Sequence, residues 1–202
     1  MTSSLADVEI SVVFDCYPQK TVTLEALFLA SKSLVFLRRC REAIANGTYS
    51  FHLPAANESP FRLALKWMEK REVDTNVQTL LVLAWNFGGD FDLTDFQNDV
   101  MRKLFHCLEK DDLDPAAVAA AWAEGFQADY GGSFLQQALS RRLAYSFTAR
   151  DKDPWPISHL TQHGLHRNFA FLSEFVIALC AEKRNSSNRV PVPRVKNFLI
   201  SD

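Results

Sequence analysis

Strand-period alternation is confined to the first 53 residues of this 202-residue chain, and helical spacing takes over beyond them. That distribution limits the fold more than any other feature. Val8, Ile10, Val12 and Phe14 alternate with Glu9, Ser11 and Val13, which sends successive side chains to opposite faces of a strand. Tyr17-Pro18-Gln19-Lys20 supplies a turn, and Thr21-Val22-Thr23 reads as the returning strand of a hairpin. After the Asn46-Gly47 turn signal, Tyr49, Phe51 and Leu53 alternate with Ser50 and His52 and give a third strand ending at Pro54.

The remaining signals are helical. From Leu24 to Cys40, Leu27, Ala30, Leu34 and Leu37 are spaced by three and four. Ser59 as a capping hydroxyl before Pro60 opens a helix with an apolar face of Phe61, Ala64, Leu65 and Met68. Thr75 with Gln78, and Thr94 with Gln97, have capping-box spacing. The first opens a helix carrying Val77, Leu80, Leu81 and Ala84 that stops near Gly88-Gly89, and the second a helix carrying Phe96, Val100, Leu104 and Cys107. Asp114-Pro115 starts another, with Val118, Trp122 and Phe126 at four-residue spacing. Gly131-Gly132 marks a helix stop, Ser133 an N-cap, and Leu135, Leu139 and Leu143 continue the series. Trp155, between Pro154 and Pro156, lies in a loop, and a last helix runs from about Arg167 to Glu182. Few strands grouped early with helices after them predict an α+β fold, a small sheet covered by helices, rather than alternating βαβ units.

A chain of this length buries roughly 70% of its unfolded surface and needs no staples. Its 16 phenylalanines must be buried or face a partner. With 22 basic and 24 acidic residues the net charge is −2, without the basic excess of a nucleic-acid binder. Cys16, Cys40, Cys107 and Cys180 form no Cys-x-x-Cys pair and read as reduced, buried thiols of a cytoplasmic or nuclear protein. No apolar run is long enough to span a bilayer. The basic residues Lys183, Arg184, Arg189, Arg194 and Lys196 sit in a segment that reads as a solvated, flexible tail.

Three segments, in order, carry a resemblance. Asp7-Val8-Glu9-Ile10-Ser11-Val12 resembles the opening strand of the BTB/POZ family. Leu29-Ala30-Ser31-Lys32-Ser33-Leu34-Val35-Phe36 is similar to its Leu-Ala-x-x-Ser-x-x-Phe helix pair, and Tyr49 through Trp67 to its strand-plus-helix unit. Leu80 to Leu104 then resembles the closing helical hairpin. Glu25 and Leu34 stand where the family usually carries His and Pro. Val118 to Trp122 and Gly132 to Leu135 resemble the helical extension of BTB proteins abundant in filamentous fungi.

The resemblance implies a BTB/POZ-like domain over residues 1–109, a helical extension over 110–183 packed on it, and a basic tail over 184–202. It implies a non-catalytic interaction module or adaptor without cofactor or metal. Its partners are then proteins, such as co-regulators or a cullin-type ubiquitin ligase, with neither membrane nor nucleic acid among them. With six residues before Asp7, the strand-exchanged dimer of many animal relatives is not expected, whereas other self-association stays open. In cullin-binding relatives the loop after the Ser-x-x-Phe helix carries a hydrophobic residue, any residue, then Glu. Here Ile44-Ala45-Asn46 falls there, with Cys40-Arg41-Glu42 as a fallback, so weak or absent cullin binding is expected. Arg38, Arg39, Ile44 and Asn46 are the candidate interaction residues.

The other reading is an enzyme or ligand-binding protein of unrecognised type. His159, His163 and His166, at i, i+4 and i+7, would share a helix face and hold a metal, but Gly164 interrupts the run and no thiol or carboxylate has adjacent spacing. Gly131-Gly132-Ser133 lacks the Lys of a phosphate loop, and no Gly-x-Ser-x-Gly occurs. Asp90, Asp92 and Asp95 lack the glycine and distal Glu of a calcium loop and read as solvated turn residues.

Overall fold

The computed structural model describes residues 5–123, 133–148 and 157–185. Strand β1 (Glu9–Asp15) is central in a three-stranded sheet, antiparallel to β2 (Lys20–Glu25) and parallel to β3 (Ser50–Pro54). A parallel pair needs a crossover. Two helices, α1 (Ala26–Ala30) and α2 (Leu34–Ala45), supply it. Of the helical run expected from Leu24 to Cys40, Leu24 and Glu25 instead complete β2, paired with Ile10 and Glu9, and the rest is broken in two, because Ser33 caps α2 by accepting from the Phe36 N–H at 3.0 Å. There follow α3 (Glu58–Lys70), α4 (Gln78–Asp90), α5 (Thr94–Lys110), α6 (Pro115–Ala121), α7 (Phe134–Thr148), α8 (Ile157–Gln162) and α9 (Phe169–Asn185). A small mixed sheet packed against helices and followed by helices alone is the α+β arrangement expected. The chain divides into two compact units, Met1–Asp74 with Ala84–Asp99 and Thr75–Leu83 with Val100–Asp202.

In the first unit the inward side of β1 (Ile10, Val12, Phe14) and β3 (Phe51, Leu53) meets a closed circuit of four rings. Phe36 of α2 lies 6.3 Å from Phe61 of α3, Phe61 6.0 Å from Phe87 of α4, Phe87 4.4 Å from Phe91, and Phe91 4.6 Å from Phe36. Phe14 adds an edge contact to Phe61 at 5.6 Å. Glu58 fastens the hairpin to α3, accepting from Lys20 Nζ at 2.7 Å and Arg62 Nε at 3.1 Å. The lysine's hydrogen bond, more than any other influence, holds the Glu58 carboxyl below its ordinary range. Helix α3 begins at Glu58 rather than at a Ser59 cap. Pro60 is still tolerated, since the first helical N–H groups have no intrahelical acceptor.

Neither expected capping box forms. Thr75 Oγ1 does accept from the Val77 N–H at 3.2 Å, but both glutamines are buried and turn elsewhere. Gln97 Nε2 donates to the Trp85 carbonyl at 3.0 Å. Gln78 Nε2 donates to the Asp112 carbonyl at 2.8 Å while its Oε1 accepts from the Asp114 N–H at 2.9 Å. Helix α4 ends at Asp90, one residue past Gly88-Gly89, as expected. The pair also makes room: a Cβ at Gly88 would stand 2.6 Å from Gln97 Cγ, and one at Gly89 3.0 Å from Gln97 Nε2.

In the second unit Asp114 caps α6 as expected, accepting from the Ala116 N–H at 2.9 Å, with Pro115 at the first helical position. Ser133 and Gln136 form the reciprocal cap of α7: Ser133 Oγ accepts from the Gln136 N–H at 3.2 Å and Gln136 Oε1 from the Ser133 N–H at 2.9 Å. Leu135, Leu139 and Leu143 are buried as their spacing predicts. Helices α7 and α9 pack through Phe147 on Phe175 at 5.4 Å, and Trp122 meets Phe171 at 5.2 Å. Trp122 lies just past α6, and Phe126, the Gly131-Gly132 pair and the Pro154–Pro156 loop fall outside the described residues. Helix α9 runs three residues beyond the expected Glu182, taking in Lys183, Arg184 and Asn185, and the rest of the expected tail lies outside the described residues. The four cysteines are free, but only Cys40 and Cys107 are buried; Cys180 is exposed and Cys16 half-buried.

Gly88→Ala should destabilise the chain by about 1–3 kcal/mol, because overpacking against a tethered carboxamide outweighs the roughly 1 kcal/mol that Ala gains over Gly in a helix. In a Gln97→Ala background most of that cost should vanish. Urea denaturation of the four proteins of the double-mutant cycle measures both terms.

Candidate protein-interaction surface

Three of the four candidate residues lie on α2 and the fourth, Asn46, is its C-cap. At about 100° per residue, Arg38 and Ile44 point about 120° apart around the helix axis, and Arg39 and Ile44 about 140° apart. They therefore do not share a face. The inward face carries Phe36, Cys40 and Ala43, all buried. Burial also pushes the Cys40 thiol up from its ordinary range, which leaves it an inert thiol.

Arg38 is exposed. Arg39 is half-buried, with its guanidinium 5.3 Å from the Phe91 ring centre and 5.7 Å from that of Phe51. It closes the aromatic circuit from outside. The nearby Asp90 carboxyl is pushed up by burial, which the Arg39 charge opposes. Asp95 lies 3.8 Å from Arg71, so the expected solvated aspartates are in part paired.

Ile44 is half-buried in the last turn of α2 rather than in a loop. Asn46 is exposed and closes the helix, its N–H bonded to the Glu42 carbonyl at 3.0 Å. Gly47 follows at φ 67°, the left-handed conformation that ends helices. The connection to β3 is therefore only Asn46 to Tyr49, and the hydrophobic position of the cullin-type pattern is held in helical geometry.

Two neighbours of Arg38 were missed. Leu34 is 75% exposed, and Arg41 is exposed on the same side. Helical spacing puts Leu34 on one apolar face with Leu27, yet Leu27 too is 51% exposed. The capped break at Ser33 resets the helical phase, so Ala26 and Leu29 are buried in α1 instead. The i, i+4, i+7 spacing of Leu34, Arg38 and Arg41 was nevertheless present in the sequence.

The histidine trio does not share one helix. Helix α8 ends at Gln162, Gly164 turns the chain at φ 70°, and His166 sits in a short 3-10 turn. Its Nδ1 lies 3.3 Å from the Leu160 carbonyl and its Nε2 accepts from Arg167 Nε at 3.2 Å. The His159 side chain lies outside the described residues. Among the described residues no three His, Cys, Asp or Glu side chains are gathered as a metal ion requires, and no helix is long and apolar enough to cross a membrane. Comparison of the chain with protein-family models, with curated proteins and with solved structures finds no match.

Arg39→Ala should cost about 1–2 kcal/mol through the lost ring contacts and stem packing. Arg38→Ala should stay within about 0.5 kcal/mol, as an exposed substitution does. Thermal unfolding of the two variants side by side measures the difference.

Proposed function

We propose that the chain is a non-catalytic protein–protein interaction module of the BTB/POZ type with a helical extension. The observation that carries this reading is the order of elements. Hairpin β1–β2, helix pair α1–α2, strand-plus-helix β3–α3 and helical hairpin α4–α5 fall, in sequence, on the segments that resemble the family. The central position of β1 lets one strand hold both the hairpin and the crossover helices. Recognition then belongs to what α2 and the short α2–β3 connection present to solvent, and the fold itself does not choose the partner.

Affinity purification of the tagged full chain, followed by mass spectrometry, should return a reproducible partner set. A chain that repeatedly captures nothing, yet turns over or binds a small molecule, would sink the module reading.

Cullin recruitment is expected to be weak. Asn46 offers no carboxylate where the cullin-type pattern needs Glu, and losing a charge-assisted hydrogen bond costs about 1–3 kcal/mol, or about one to two decades in affinity. Calorimetry with a cullin N-terminal domain should give micromolar binding or none, and Asn46→Glu should strengthen it about tenfold. Submicromolar binding by the native chain would contradict this.

A further inference from the structure

Resting on the module reading, we propose that the outward face of α2 is a docking strip for an acidic segment of a partner protein, one that brings an aliphatic anchor to Leu34 and carboxylates to Arg38 and Arg41. Leu34, Arg38, Arg41 and Ala45 are all exposed. At 100° per residue they fall within a wedge of about 60° and run along about 16 Å of helix. That is one helix-wide ridge with an apolar end and a basic middle, the layout that an amphipathic segment reads as i, i+4, i+7 anchors.

Charge singles this strip out. Over residues 1–74 and 84–99 the first unit holds 13 acidic and 9 basic residues. Most of its cations are already engaged. Lys20 and Arg62 meet Glu58, Lys66 lies 3.9 Å from Asp74, Arg71 lies 3.8 Å from Asp95, and Arg39 rests on two rings. Lys32, just before α2, stands 5.0 Å over the Phe28 ring. Arg38 and Arg41 make no ion pair, hydrogen bond or ring contact among the described residues. An acid-rich unit thus leaves two guanidinium groups uncompensated, one and two turns beyond its most exposed leucine. Complementary charge at such a surface acts mainly on encounter rate and partner choice.

A second copy of this chain fits the strip less well. Asp95 is paired with Arg71, and Asp99 accepts from Trp67 Nε1 at 2.8 Å. Glu9 and Glu25, exposed and opposed across the β1–β2 pair, would give a heterologous contact that does not close, and an isologous pairing of α2 with α2 would offer only Glu42, one carboxylate against two guanidinium groups.

The test uses the full chain and a fluorescein-labelled synthetic helix of about 16 residues, carrying one Leu and then Glu at four- and three-residue spacing. Fluorescence anisotropy at about 50 mM salt should give a Kd of tens of micromolar, weakening about threefold or more at about 0.5 M salt as exposed charges are screened. Arg38→Gln/Arg41→Gln should bind about fivefold more weakly. Lys70→Gln, which removes a cation elsewhere on the first unit, should bind as the native chain does, and a peptide with Lys for Glu should bind at least tenfold more weakly. No binding, equal binding by the double variant, or equal binding of the Lys peptide would each overturn the proposal. So would a concentration-dependent dimer in sedimentation that the double variant abolishes, since the strip would then serve a second copy. If the purified partner set survives in the double variant while the peptide does not bind, the module reading stands and only the acidic-segment inference falls.

Discussion

The closed circuit of Phe36, Phe61, Phe87 and Phe91 is the contact on which the first unit depends. Each ring comes from a different part of the chain: α2, α3, α4 and the turn after α4. Each ring buries on the order of 200 Å² and adds edge or offset-stacking geometry beyond its area. A circuit is more constraining than a chain of contacts, because removing one ring frees two neighbours and opens a cavity that close packing cannot heal. Phe14 ties the circuit to the central strand, and Arg39 seals it against solvent. Position and orientation of α2 are therefore set by its inward phenylalanine, and everything α2 shows to the outside follows.

Packing divides α2 by face. Phe36, Cys40 and Ala43 hold the helix down, Arg39 faces sideways onto rings, and Leu34, Arg38, Arg41 and Ala45 are left over. Two adjacent arginines thus have different surroundings, since about 100° of rotation separates a residue that rests on the core rings from one exposed to solvent. These side chains sit on a capped helix rather than on a loop.

The buried glutamines show a second economy. Gln97 bonds the Trp85 carbonyl within the first unit, where two glycines of α4 give its side chain room. Gln78 closes on Asp112 and Asp114 in the second, and Gln136 caps α7 while also donating to the Ala121 carbonyl. Each sets a buried carboxamide against backbone groups of another segment, so that its own polar atoms are hydrogen-bonded where burial makes an unmade bond costly.

Period and caps were legible in the sequence. Strands β1 and β3, the middle of β2, the helix starts at Asp114-Pro115 and Ser133, and the buried leucines of α7 stand where local spacing put them, because backbone geometry alone fixes those periodicities. Local spacing misled wherever a side chain had a choice of partners. Gln78 and Gln97 match a capping box in sequence, but a distant carbonyl offered each a buried bond. Leu34 matches a core position, but a cap at Ser33 shifted the helical phase. Arg38 and Arg39 are alike in sequence, and only the neighbouring rings make one structural and leave the other exposed. The sequence by itself determined which segments are strands and helices, since that depends on residues near one another in the chain. Tertiary structure decided which polar groups are bonded inside and which helix face is left exposed, since that depends on atoms brought together from far along it.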